Sequence, residues 1–107
     1  MIYIFWTCKN RQEAKTIIHQ LLKKNLIACA SILPEVESIY RWQNTIEESL
    51  ETKVILKTLK SHFPAIQTLI QAHCSYEVPE IVAIEAHKAN PAYLRWIEEE
   101  TGIPEKS

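Results

Sequence analysis

The stretch that most constrains this chain runs from Ser38 to Leu59, SIYRWQNTIEESLETKVILKTL, two β-prone arms on either side of a polar turn near Gln43–Thr45. No other strand-like run is long enough to pair along its whole length. Fully extended, Ala28 to Trp42 would reach about 50 Å at ~3.3 Å per residue, against about 20 Å for Ile2–Thr7. The excess overhangs its own sheet and leaves backbone edges that proteins normally cover or pair. A compact domain has no use for such an arm, whereas a subunit that grips its neighbours does. Tyr40, Arg41 and Trp42 sit together in the first arm, and these residue types dominate protein interfaces. Packing between subunits is therefore favoured over a ligand stacked on the aromatics.

At 107 residues the chain is read as one domain, 1–107, with enough hydrophobic content (47%) for a core without disulfide or metal support. A net charge of −1 gives no basic footprint for nucleic acid, and no Lys/Arg-rich amphipathic helix suggests a membrane surface. The opening MIYIFWTCKN has no basic leader and too short an apolar run for a signal peptide, so a cytoplasmic location is expected. Three cysteines, Cys8, Cys29 and Cys74, are read as free thiols in a reducing compartment. A single glycine, Gly102, excludes the glycine-rich loops that cradle phosphates.

Periodicity orders the elements. Ile2–Thr7 is apolar on both alternating faces, so both faces are expected to be covered. Ala14, Ile17, Ile18, Leu21 and Leu22 recur at helical spacing over Asn10–Asn25. Ala28–Leu33 is strand-like up to Pro34, and the arms follow at Ile39–Trp42 and Thr52–Leu59. A second helix is expected over His62–His73 with Ser61 as its cap. Ser75–Glu80 reads as a loop, Ile81–Ala86 as a strand, and Pro91 opens a last helix that turns Tyr93, Leu94, Trp96 and Ile97 inward and closes at Gly102. The order β-α-β-β-α-β-α gives an α+β fold, the ferredoxin-like split βαβ plan with an extended hairpin and a C-terminal helix. Its helices cover one sheet face, and the apolar remainder of the other favours association.

This topology brings Cys8, His73 and Cys74 to one end of the sheet and sends Cys29 to the other. Thiolate and imidazole suit copper(I), zinc and similar ions. The alternative is a polar helix terminus, with His73 at the negative end of the dipole and Cys74 half-buried. Glu77 and Glu80 flank Pro79 as carboxylates without a nucleophile or oxyanion donors, so solvation is expected of them. His19 and His62 are expected to be solvated on helical faces, and His87 to sit in a surface turn. An enzyme is not expected.

The segments LIACASILPEVESIYRW (Leu26–Trp42), Glu47-Glu48, VILKT (Val54–Thr58), YEVPEIVAI (Tyr76–Ile84) and YLRWIEEET (Tyr93–Thr101) make the chain resemble the CutA-type divalent-ion tolerance proteins over nearly its whole length. The resemblance implies a tight homotrimer of ferredoxin-like subunits, similar in architecture to the PII signal proteins. It also implies tolerance to copper and other divalent ions, with copper bound in some members. The family's reported ligands, a first-strand Cys and two consecutive His, fall here on Trp6, His73 and Cys74, with Ser75 in place of a proline. Cys74 is a competent substitute, and Cys8 lies two residues beyond the replaced thiol on the same strand face. A further departure is Ala89 where the family usually has Gly. The expected function is metal-ion homeostasis by a non-enzymatic homotrimer, with copper held weakly by His73, Cys74 and Cys8. The alternative is a PII-like signalling trimer whose inter-subunit clefts, near Arg41 and Lys88, take a small anion or a protein.

Overall fold

The computed structural model describes residues 1–102; residues 103–107, the tail of the expected domain, lie outside the described residues. The elements are β1 (Ile2–Cys8), α1 (Arg11–Lys23), β2 (Cys29–Trp42), β3 (Thr45–Thr58), α2 (Phe63–His73), β4 (Ile81–Glu85) and α3 (Pro91–Glu100), with a 3₁₀ turn at Lys60–His62 before α2. The four strands lie in the order β2-β3-β1-β4 with every pairing antiparallel. This is the split βαβ plan read from the sequence.

One face of β1, formed by Ile2, Ile4, Trp6 and Cys8, packs into a buried cluster with Ile17 and Leu21 of α1 and Ile66 and Ile70 of α2. Each such aliphatic side chain contributes about 1.5–3 kcal/mol when fully withdrawn from water. Asn10 starts α1 by accepting from the backbone N–H of Glu13 at 2.9 Å. The expected cap at Ser61 is not used. Ser61 lies within the 3₁₀ turn, and α2 begins after His62 with no side-chain cap and with Pro64 in its first turn. The buried stripes are also narrower than expected: Leu22 and Trp96 are each 38% exposed.

The hairpin turns through Gln43 and Asn44, whose φ values of 48° and 70° are the left-handed pair that matches strand twist in a two-residue connection. Pairing of β1 with β3 ends at Cys8↔Thr52, so among the described residues Thr45 to Glu51 pair with β2 alone. The overhang makes the molecule 49 Å long against 27 Å and 21 Å in its other directions. On one side of this overhang Ile39, Ile46 and Leu50 are 69%, 69% and 60% exposed.

Register explains the other side. Leu33 pairs with Lys53, but the next pair is Val36 with Glu51, so Pro34 and Glu35 bulge out of the ladder. A side-chain period of two means that this bulge reverses parity along β2. Cys29, Ser31 and Leu33 share a face with Lys53, and beyond the bulge so do Val36, Ser38, Tyr40 and Trp42. That face lies opposite α1 and α2. Among the described residues only α3 crosses part of it, where Tyr93 and Tyr3 line one hollow and Lys57, only 8% exposed, lies over the Tyr3 ring.

Candidate functional site

Two polar assemblies lie at the end of the sheet from which the hairpin projects. The first is a rim where β1 ends and α2 terminates. Glu13 organises it, receiving the backbone N–H of Ser75 at 2.8 Å and that of Lys9 at 3.1 Å, so the start of α1 is tied to the residues after α2. Cys8 is fully buried, and its thiol donates to the carbonyl of Asn10 at 3.6 Å. Burial, then the Glu13 carboxylate and Cys74 alongside, push this thiol from its ordinary 9.0 up to about 12. Cys8 is therefore a protonated, occupied group at neutral pH, unlike the thiolate that binds metal.

Cys74 is half-buried at the edge of the core. His73 is exposed, but its ring turns back on its own helix, with Nδ1 3.0 Å from the carbonyl of Leu69. The expected meeting of Cys8, His73 and Cys74 as one ligand set does not form within the chain. Cys8 and Cys74 come within electrostatic reach, whereas His73 faces a shallow hollow lined by Asn10, Glu13 and Gln20. Among the described residues no group of three or more His, Cys, Asp or Glu side chains is placed to hold a metal ion. Trp6, where the resemblance puts a thiol ligand, is fully buried, and its indole Nε1 has no hydrogen-bond partner among the described residues. It fills core volume and offers no donor atom to a cation.

The second assembly is a groove of about 660 Å³ between the hairpin's open face and the loop before β4. Tyr40, Trp42 and Tyr76 line it, together with Glu51, Lys53 and Glu80. Glu80 is exposed, its side chain at 39%, as expected of a loop carboxylate, but it is also anchored to the sheet. It accepts from the Thr7 hydroxyl at 2.5 Å and pairs with Lys53 at 3.2 Å. Burial, and then the neighbouring Glu51 carboxylate, raise the Tyr76 phenol well above its usual range. Glu77 is exposed, as expected. His62 departs from expectation, being partly buried with its Nε2 unpartnered.

The candidate anion-binding cations do not meet. Arg41 is paired with Ile46 near the hairpin tip, on the side away from the groove. Lys88 lines a hollow with Tyr3 and Phe5, beyond the opposite end of β4.

Fold and rim together define a class: an α+β subunit of the split βαβ type, with an overhanging hairpin and soft donors at the sheet end. A family model described as CutA1 divalent ion tolerance protein matches residues 2–100, and the chain belongs to that family. It is 38% identical over 96 residues to the divalent-cation tolerance protein CutA of Thermus thermophilus, covering 90% of this chain and 93% of that one. It is 37% identical over 97 residues to mouse protein CutA, covering 91% of this chain but 55% of the mouse protein. The chain thus spans little more than half the length of its mouse, human and bovine relatives. Among solved structures, the Thermus thermophilus divalent cation tolerance protein superposes with a TM-score of 0.91 at 37% identity, covering 95% of this chain and 100% of that one. An Archaeoglobus fulgidus relative, described as a periplasmic divalent cation tolerance protein, gives 0.91 at 32% identity, covering 94% and 99%.

Proposed function

We propose that this protein acts in tolerance to divalent metal ions as a cytoplasmic homotrimer without catalytic activity, holding copper weakly at the rim. The observation that carries the assembly is the overhang: among the described residues β3 from Thr45 to Glu51 has β2 as its only partner, and large apolar side chains stand exposed on it. Sister copies supply the missing strand partners and cover that apolar surface.

Weak ion binding follows from the donor set. His73 and Cys74 are accessible soft donors, and Cys8 joins them only if its thiol leaves Asn10 and loses its proton. Metal binding then releases protons and weakens as pH falls. The three free cysteines suit a reducing compartment and copper(I). Titration with Cu(I) and Cu(II) tests this reading. Binding in the micromolar range or weaker is expected, loosened by His73→Ala and more by Cys74→Ser. Unchanged binding in both variants removes the proposed ligands.

A second reading, a signalling trimer that takes a small ligand in clefts between subunits, draws support from the groove beneath Tyr40 and Trp42.

A further inference from the structure

We propose that the outer face of α1 is a docking surface for a short, extended acidic segment of a partner protein. This inference rests neither on copper at the rim nor on the groove beneath the hairpin. The small net charge of the chain hides the feature. Five of the twelve basic residues, Lys9, Arg11, Lys15, Lys23 and Lys24, fall between residues 9 and 24 against one acid, Glu13. The remainder carries seven basic and twelve acidic residues. Arg11, Lys15, His19 and Lys23 recur at every fourth position of α1, so they line one side of it, and all four are exposed. Ala14, Ile17, Ile18 and Leu21 of the same helix are buried against the sheet. The stripe thus points away from the open sheet face and the hairpin, which the proposed trimer covers.

The rest of the chain does not answer this charge. None of the five cations forms an ion pair among the described residues. Glu13 is turned toward the end of α2, where it accepts from the backbone N–H and the hydroxyl of Ser75. The acidic run Glu98–Glu100 ends α3, whose closing Gly102 lies beside Asn25, yet it pairs with neither Lys23 nor Lys24. Like charges four residues apart oppose helix formation, and Arg11 stands at the positive end of the helix dipole. Of the stripe only Lys23, in the last turn, suits that dipole, so folding does not account for the pattern. Its shape selects the partner. From Arg11 to Lys23 the stripe rises about 18 Å in steps of about 6 Å. Alternate side chains of an extended peptide repeat at about 6.6 Å, so about five or six residues with acids at alternate positions match it. A long polyanion such as nucleic acid would run past the stripe onto the acidic remainder, and α1 offers no aromatic ring for a base to stack on. A membrane surface needs apolar side chains to insert, and those of α1 are committed to the core apart from Leu22.

The test is fluorescence anisotropy of a labelled peptide of alternating Glu and Thr, about ten residues long, titrated with the full-length protein in its native assembly state at about 50 mM salt. Saturable binding with a Kd below about 1 mM is expected, weakening severalfold at about 300 mM salt. Lys15→Gln combined with Lys23→Gln should weaken it about fivefold or more. Both positions are exposed, so this variant keeps its fold. Lys60→Gln removes a cation outside the stripe, one already paired with Glu85, and should change the affinity less than about twofold. Oligothymidine of about 30 nucleotides and phosphatidylserine vesicles should bind more weakly than the peptide. The proposal is overturned if the peptide shows no saturable binding below about 1 mM, or if the double variant binds it as tightly as the wild type. It is equally overturned if Lys60→Gln weakens binding as much as the double variant does, or if the nucleotide or the vesicles bind more tightly than the peptide.

Discussion

Replacing Ile39 and Ile46 together by Lys isolates the work done by the overhang. The two residues are diagonal neighbours across β2 and β3, both 69% exposed, and neither touches the core shared with α1 and α2. Full burial of an aliphatic side chain is worth about 1.5–3 kcal/mol, so covering the exposed two thirds yields about 1–2 kcal/mol per residue. Two residues in each of three copies give about 6–12 kcal/mol for assembly, or roughly four to nine powers of ten in the dissociation constant of a trimer. Lysine adds repulsion between copies to that loss. Folding of the single chain should change by no more than about 0.5 kcal/mol, the usual range at exposed positions. The assay is urea unfolding across a hundredfold range of protein concentration. For an associating wild type the midpoint rises with concentration by mass action, and in the double variant it should not move. A variant whose midpoint still climbs like that of the wild type would refute the reasoning, because the overhang would then contribute nothing to assembly.

Three further outcomes follow from particular contacts. Gly102 ends α3 at φ +53°, and an added Cβ would meet Asn25 only at an ordinary 3.8 Å, so Gly102→Ala should cost about 1 kcal/mol through backbone strain alone, read from the denaturation midpoint. Because the folded value of Cys8 lies above its unfolded value, its contribution to stability is complete below pH 9 and is lost as pH rises from 9.0 towards 12. Cys8→Ser should therefore flatten the decline in stability over that window by up to about 1.4 kcal/mol per pH unit, whereas an unchanged slope would mean that the thiol titrates normally. Glu80→Ala strands the Thr7 hydroxyl and the Lys53 ammonium and should cost about 1–2 kcal/mol, while Glu80→Gln, which keeps an acceptor for Thr7, should cost less than about 1 because Lys53 is one-third exposed.

The fold was legible because its signals are local. The alternation in Ile2–Thr7, the helical spacing from Ala14 to Leu21, the left-handed turn at Gln43–Asn44 and the closure at Gly102 each act within a few residues. Glu13 left a trace too: Asn10 and Glu13 stand three apart, the spacing of a capping box, although its second role in holding Ser75 needs the tertiary fold. The groove was not legible. It draws on β1, both arms of the hairpin and the loop before β4, and it faces as it does only because a bulge reverses the parity of β2. The rim shows the same limit on a smaller scale. Topology places Cys8, His73 and Cys74 at one end of the sheet, but whether three donors converge depends on rotamers, and local carbonyls, Asn10 for the thiol and Leu69 for the imidazole, claim two of them.

Sedimentation equilibrium of the unmodified protein at low micromolar concentration bears most directly on whether one copy is complete in itself. Neighbouring strands and apolar cover supplied by sister chains predict a single species of three times the 12.4 kDa chain mass. A folded species at 12.4 kDa, stable on dilution and unaggregated, would contradict it.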